Sequence, residues 1–311
     1  MLKIGVLLAS LALCSACATD PGDQPVGPQV VASFYPLQFV TERVLGERGA
    51  VTALTPAGAE PHDLELGPRD VGRLGEADLV VTLGGFQPAV DAAIKQQAAD
   101  SHLDVAEAAR LETLSGAQGH EDAGHEDAEH EDAEPSDLAG DPHFWLDPLR
   151  LADVADAVAE RLAEIDPDGA QTYQQHASTL RADLEALDDE LAAGLSGCES
   201  TELVTSHTAF GYLAERYGLE QVGIAGLSPH DEPSARTLAE ITDYVREHEV
   251  TTVFSEVLSD PAVAQVVSTE TGARLAVLDP VEGISPDSAG QDYLAVMRAN
   301  LQVLQEGLSC P

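Results

Sequence analysis

Four residues with metal-binding side chains stand at the ends of predicted strands or at the start of a predicted helix: His62, His143, His207 and Asp279. A closed metal site needs three or four ligands that converge on one point, and imidazole nitrogens and carboxylate oxygens are common ligands. In α/β folds, ligands collect at the carboxyl ends of parallel strands. Two of the four residues come from each half of the chain, so we predict one metal site in a cleft between two lobes.

The pattern along the chain predicts the elements that position these residues. Short β-branched runs alternate with longer helical stretches, which is typical of α/β units with parallel strands. Strands are predicted at residues 30–34, 51–54, 78–83 and 103–105, and again at 202–205, 222–225, 252–254 and 275–278. We therefore expect an α/β fold of two lobes, each with a four-stranded parallel sheet flanked by helices.

One long helix is predicted to join the two lobes. Residues 168–195 carry leucines at three- and four-residue spacing and no proline, and their only glycine after position 169 is Gly194. About 27 residues at 1.5 Å each would span on the order of 40 Å, so this helix would be a stiff connector. The predicted domains are an N-terminal lobe at residues 29–167, this linking helix, and a C-terminal lobe at residues 198–310.

The composition excludes several classes of partner. The chain has 311 residues, with 15 Lys and Arg against 55 Asp and Glu, a formal net charge of −40. A surface this acidic repels phosphate backbones, so nucleic-acid binding is not expected. The length suits two domains and a sizeable core.

The N-terminus resembles an export signal. Lys3 is followed by an apolar stretch at residues 4–13, and the sequence Leu-Cys-Ser-Ala-Cys ends at Cys17. Residues 1–17 are predicted to be a lipoprotein signal peptide, with Cys17 as the lipidated residue that anchors the protein to the outer face of the cell membrane. Residues 18–28 would be a flexible tether. An ordinary cleaved signal is the alternative.

Cys198 and Cys310 are the two cysteines that remain after this segment. In an exported chain an isolated pair is most simply a disulfide. Two free thiols that bind a metal are the alternative, although neither has a Cys-x-x-Cys partner or a nearby histidine.

A histidine-rich, acidic repeat interrupts the first lobe at residues 119–134. His120, His125 and His130 recur at five-residue intervals among carboxylates. This period fits neither a helix nor a strand, and the charge prevents burial, so a surface loop is predicted. Its imidazoles would collect divalent cations loosely, unless the loop is only a solvated insert.

Several motifs, in their order along the chain, resemble the zinc- and manganese-binding solute-binding lipoproteins of ABC-type metal importers. The likeness covers about residues 29–310 and rests on Pro-His-Asp at 61–63, Asp-Pro-His-Phe-Trp-Leu-Asp-Pro at 141–148, Ser-His-Thr-Ala-Phe-Gly-Tyr-Leu at 206–213, Asp-Glu-Pro-Ser at 231–234 and Leu-Asp-Pro at 278–280. The resemblance implies two lobes joined by a rigid helix. It also implies His62, His143, His207 and Asp279 as the ligands.

Some roles at this site stay open. Glu60 or Glu65 is an alternative to His62, and water, Glu282 or another acid is an alternative to Asp279. Because a ligating imidazole usually donates its other N–H to a carboxylate or carbonyl, Asp147 and Glu256 are candidate partners, and Glu282 is a third acid near the site. Capping or strand-end roles are the alternatives for Asp147 and Glu256.

Three imidazoles and one carboxylate favour zinc over manganese, which prefers more oxygen donors. The resemblance then implies a monomeric, extracytoplasmic zinc receptor that delivers Zn²⁺ to an ABC importer permease. A manganese or mixed receptor of the same family is the alternative. An exported zinc hydrolase is a second alternative, but no His-Glu-x-x-His or nucleophile-elbow motif is present. An adhesin or a passive metal buffer would share the site and differ only in its partner.

Overall fold

The computed structural model describes residues 27–112 and 140–311. The predicted signal peptide, Cys17, most of the tether and the repeated histidines His120, His125 and His130 lie outside the described residues. These predictions therefore remain untested by the fold.

The N-terminal sheet has four parallel strands in the order β2-β1-β3-β4. The strands are β1 Gln29–Ala32, β2 Ala50–Ala53, β3 Leu79–Thr82 and β4 His102–Asp104. All four residues of β3 are buried, as expected for a central strand covered by helices on both faces.

The C-terminal sheet repeats this arrangement, with four parallel strands in the order β6-β5-β7-β8. Its strands are β5 Glu202–Thr205, β6 Glu220–Gly223, β7 Thr252–Glu256 and β8 Arg274–Leu278. The identical strand order confirms two similar lobes. Every strand begins and ends within two residues of its predicted bounds.

Ten α-helices lie in the described part of the chain. They are α1 Tyr35–Leu45, α2 Pro68–Glu76, α3 Pro88–Gln97, α4 Ala106–Ala109, α5 Pro148–Ile165, α6 Ala170–Leu195, α7 Gly211–Tyr217, α8 Ala235–Glu247, α9 Ala262–Thr271 and α10 Tyr293–Gly307. Helix α2 is rich in glycine and charge, and Leu74 is its only buried residue. None of the described helices is long and apolar enough to cross a membrane.

Helix α6 is the predicted connector, and it packs against both lobes. Its leucines at 180, 184, 187, 191 and 195 are all buried, because the three- and four-residue spacing places them on one face. They pack against α1 and α5 on the N-terminal side and α10 on the C-terminal side.

Ion pairs fasten α6 on both sides. Arg43 of α1 contacts Asp183 at 2.5 Å. Arg216 of α7 contacts Asp188 at 2.5 Å. In addition, Arg298 of α10 contacts Glu190 at 2.7 Å. Helices of both lobes are therefore tied to the same connector by charge-assisted hydrogen bonds.

A disulfide joins Cys198 and Cys310, which confirms the prediction from the sequence. Cys198 follows the end of α6, and Cys310 follows α10. The bridge closes a separation of 112 residues and ties the last residues of the chain to the end of the connector.

Candidate metal site

Three imidazoles and one carboxylate meet where the two lobes face each other. Oε1 of Glu282 lies 3.4 Å from Nε2 of His62, 3.3 Å from Nε2 of His143 and 3.4 Å from Nε2 of His207. The potential ligand atoms of all four residues lie within 4.8 Å of one another. His143, His207 and Glu282 are buried, and 11% of the His62 side chain is exposed.

These separations fit one tetrahedral zinc ion. Bonds of about 2.0–2.2 Å from zinc to nitrogen and oxygen give ligand-to-ligand distances of roughly 3.3–3.6 Å in a tetrahedron. In addition, Nε2 of His143 and Nε2 of His207 are buried without a well-formed hydrogen bond. A buried polar atom in that state needs a partner, and a shared cation supplies one.

Loops and turns of both lobes position these four side chains next to one another. His62 lies in the loop after β2, and His207 comes two residues after β5. His143 immediately precedes a 3-10 turn, Phe144–Leu146, that leads into α5. Glu282 follows β8. Three of these four positions follow carboxyl ends of strands, where sites of parallel α/β sheets form.

A carboxylate accepts the second ring N–H of two of the imidazoles. Asp141 Oδ1 lies 2.7 Å from Nδ1 of His143 and also accepts the backbone N–H of His143 at 2.9 Å. Glu256 accepts from Nδ1 of His207 and accepts its backbone N–H at 2.9 Å. Each contact presents Nε2 to the centre of the site and holds the ring in place.

Of the two acids expected from the sequence to accept from an imidazole, Glu256 lies beside His207, whereas Asp147 has other partners. Asp147 caps α5 by accepting the backbone N–H of Leu149 at 2.9 Å, and it lies near Arg150 and Arg216. Asp141 takes the position beside the imidazole instead. Asp141 could have been identified from its position two residues before His143. An Asp side chain at that spacing accepts the backbone N–H of the later residue in an Asx-type turn.

Asp279 does not belong to the group of four, and Glu282 stands where the sequence places Asp279. The Asp279 carboxylate accepts the backbone N–H of Val281 at 2.8 Å, and its backbone N–H donates to Oδ1 of Asn300 at 3.0 Å. Val281 has a φ of 58°, a left-handed conformation that is rare for a β-branched residue. Asp279 thus holds a sharp turn that carries Glu282 to the imidazoles.

The charges of the group shift the pKa values of its members. Burial alone would raise the pKa of Glu282, but the imidazoles of His143, His207 and His62 around its carboxylate hold this pKa well below its usual range. Burial opposes protonation of His207, but Glu256 outweighs this effect and raises its pKa to about 10. Burial likewise opposes protonation of His143, and Asp141 raises its pKa. The surrounding carboxylates therefore favour a cation at this position.

An aromatic wall encloses the N-terminal side of the site. Trp145, the only tryptophan of the chain, is fully buried, and its ring centroid lies 5.3 Å from that of His143. Its Nε1 donates a 2.8 Å hydrogen bond to the carbonyl of Pro280 in the opposite lobe. Phe86 packs against both His62 and Trp145. These rings keep water from one side of the site and join the lobes beside it.

Two similar α/β lobes with a buried set of imidazoles and a carboxylate between them define a class of two-lobed, metal-binding receptors. The profile of the family described as ZnuA, "Zinc-uptake complex component A periplasmic", matches residues 30–307. The chain belongs to this family. It is a family of extracytoplasmic zinc-binding components of uptake complexes and not of enzymes, which confirms the resemblance and the metal predicted from the sequence.

Two curated relatives give the extent of the likeness. The high-affinity zinc uptake system protein ZnuA of Bacillus subtilis (strain 168) is 33% identical, with 97% of this chain and 96% of that protein covered. The zinc-binding lipoprotein AdcA of Streptococcus pneumoniae serotype 4 is 33% identical over 98% of this chain. The match spans only 61% of AdcA.

Solved structures share the fold. The laminin-binding protein Lmb of Streptococcus agalactiae, described as a bifunctional adhesin and metal transporter, matches with a TM-score of 0.75 and 32% identity. That match covers 91% of this chain and 99% of Lmb. Zn(II)-bound AdcA from Streptococcus pneumoniae matches with a TM-score of 0.72 and 31% identity, covering 91% of this chain and 58% of AdcA.

Proposed function

We propose that this protein captures one Zn²⁺ ion with His62, His143, His207 and Glu282 and delivers it to the membrane permease of an ABC importer. The observation that carries the proposal is the convergence of three Nε2 atoms on one Glu282 oxygen at 3.3–3.4 Å. The family, a component of zinc-uptake complexes, supports the delivery step.

The residues around the ligands suit capture rather than catalysis. Asp141 and Glu256 accept the Nδ1–H groups, so Nε2 of each ring faces the ion and binds it with release of the Nε2 proton. Together with Glu282, these carboxylates offset the charge of a divalent ion in a buried place. Four protein ligands fill a tetrahedral shell and leave no position for a reactive water, which a zinc hydrolase requires.

The ligand set favours zinc over manganese. Three imidazole nitrogens and one oxygen match the preferred donors and coordination number of Zn²⁺, whereas Mn²⁺ prefers more oxygen ligands. Zinc-bound relatives support the same choice.

A lipid anchor at Cys17 would hold the receptor near its permease. This part of the proposal rests on the sequence, where Cys17 ends an apolar export segment, and on a relative that is named a lipoprotein. Mass spectrometry of the protein purified from membranes of its host tests it. A diacylglyceryl group on an N-terminal Cys17 is expected, and an unmodified N-terminus would contradict the anchor.

The capture step is tested by the metal content of the full chain after dialysis against a weak chelator. One zinc per chain is expected for the unaltered protein and for His248→Ala, which changes an exposed histidine away from the site. His207→Ala is expected to retain none. Tight zinc that survives in His207→Ala would overturn the assignment.

The delivery step needs a separate experiment in the host. Loss of the protein is expected to prevent growth in zinc-depleted medium, and added zinc is expected to restore it. Growth that is independent of the protein under zinc limitation would favour a buffer or an adhesin.

A further inference from the structure

A second group of potential metal-binding side chains lies beside the first and is more exposed to solvent. Nε2 of His230 lies 3.3 Å from Oε2 of Glu60 and 3.7 Å from Oδ2 of Asp63. The potential ligand atoms of these three residues lie within 4.8 Å of one another. His230 and Asp63 are exposed to solvent, and Glu60 is only 12% exposed at its side chain.

This group bridges the two lobes. Glu60 and Asp63 belong to the loop after β2, and His230 belongs to the segment between β6 and α8. The His230 backbone N–H donates to Oγ of Ser228 at 3.3 Å, and the Asp231 backbone N–H donates to the Ser228 carbonyl at 3.2 Å. His230 is therefore presented by a turn with its own hydrogen bonds rather than by an open chain.

Glu60 stands between the outer group and the buried ligands. Its carboxylate accepts the backbone N–H of His62 at 2.9 Å, which fixes its position. Oε1 lies 3.9 Å from Nε2 of His62, while Oε2 lies 3.3 Å from Nε2 of His230. One carboxylate thus touches an imidazole of each group.

We propose that Glu60, Asp63 and His230 form an outer divalent-cation site that holds Zn²⁺ more weakly than the buried site. One imidazole and two carboxylates are ligands that zinc accepts. Binding is weaker because the outer site has three protein ligands and is open to water, whose dipoles compete with the carboxylates. A role of this outer site in passing the ion to the buried ligands rests on the proposed function. Zinc binding at the outer site does not depend on that function.

Zinc titration calorimetry of the full chain tests this site. All proteins carry His120→Asn, His125→Asn and His130→Asn, which remove the repeated histidines as competing ligands. In that background two binding events per chain are expected, one tight and one weak. His230→Ala and Asp63→Asn are each expected to remove the weak event and keep the tight one, and His248→Ala is expected to keep both.

The outcomes separate this proposal from the proposed function. A background protein with only one event, or a weak event that persists in both His230→Ala and Asp63→Asn, would overturn the outer site and show a simple ion pair at this position. His207→Ala is expected to lose the tight event and keep the weak one. Retention of the tight event in His207→Ala would instead count against the buried site.

Discussion

Nε2 of His143 lies 3.3 Å from Oε1 of Glu282, although the two residues belong to opposite lobes. The distance is close to the edge of a zinc-centred tetrahedron. Because the oxygen also approaches His62 and His207, one carboxylate closes a site to which each lobe contributes two residues.

Glu282→Gln is expected to weaken zinc binding by more than about 100-fold, since loss of an outer partner of a ligand already costs about 10–100-fold. Competition with a fluorescent zinc chelator measures the effect. Asp279→Asn is the matched control, because asparagine keeps an oxygen that accepts the Val281 N–H, and its affinity should stay near that of the unaltered protein. A greater loss in Asp279→Asn than in Glu282→Gln would assign the fourth ligand to Asp279.

Glu256→Gln is expected to weaken zinc binding by about 10–100-fold, because it removes the anionic acceptor that orients His207. The same chelator competition reports the change. Glu247→Gln, on the exposed face of α8, is the control for a lost negative charge. Equal affinities for the two variants would contradict an orienting role for Glu256.

Asp188→Asn is expected to lower the free energy of unfolding by about 1 kcal/mol at neutral pH, because it weakens the pairing with Arg216. The hydrogen bond from Arg216 holds the pKa of Asp188 below its usual value. A depressed pKa adds stability above the unfolded pKa of about 3.9, and this stability is lost as the pH falls through the folded pKa.

The difference in free energy of unfolding between the unaltered protein and Asp188→Asn should therefore have its full value at pH 7 and vanish in strong acid. Urea unfolding of the zinc-free proteins at several pH values measures it. A difference that grows as the pH falls below 4 would have the wrong sign and would reject this linkage.

Replacing both Cys198 and Cys310 with serine is expected to cost at most about 4–5 kcal/mol of stability, the chain-entropy value for closing a loop of this length. Thermal unfolding with zinc chelated gives the change. Zinc stoichiometry should stay unchanged, because the bridge lies at the ends of α6 and α10 and away from the ligands. A double variant as stable as the oxidised protein would show that the bridge adds nothing.

The strands could be predicted from local patterns of β-branched residues, and the motifs around the three histidines single these residues out as candidate ligands. β-branched runs mark β3 and β7, and His207 directly follows one such run. The connecting helix α6 could also be predicted from the sequence, because its leucines recur at helical spacing. Helix α2 has only Val71 and Leu74 at such a spacing, among glycines and charged residues, and depends on their tertiary packing.

The carboxylates were harder to predict because their roles depend on turn geometry. Asp279 and Glu282 are three residues apart, and either one follows β8 closely enough to serve. The left-handed backbone of Val281 decides between them, and a valine gives no sequence signal for that conformation. Asp141 and Asp147 pose the same problem on either side of His143, where only the fold shows which of them faces the ring.

The ion pairs of α6 with Arg43, Arg216 and Arg298 bear on how far the shape of the molecule can change when an ion binds. Helix α6 is held by ion pairs to both lobes. It therefore resists a large movement of one lobe relative to the other, since such a movement would break the contacts of Arg43, Arg216 and Arg298. The overall shape of the molecule would then change little when an ion binds. Under the proposed function, a permease would distinguish the zinc-bound form by small local rearrangements of the loops at residues 54–67 and 279–292, which carry His62 and Glu282.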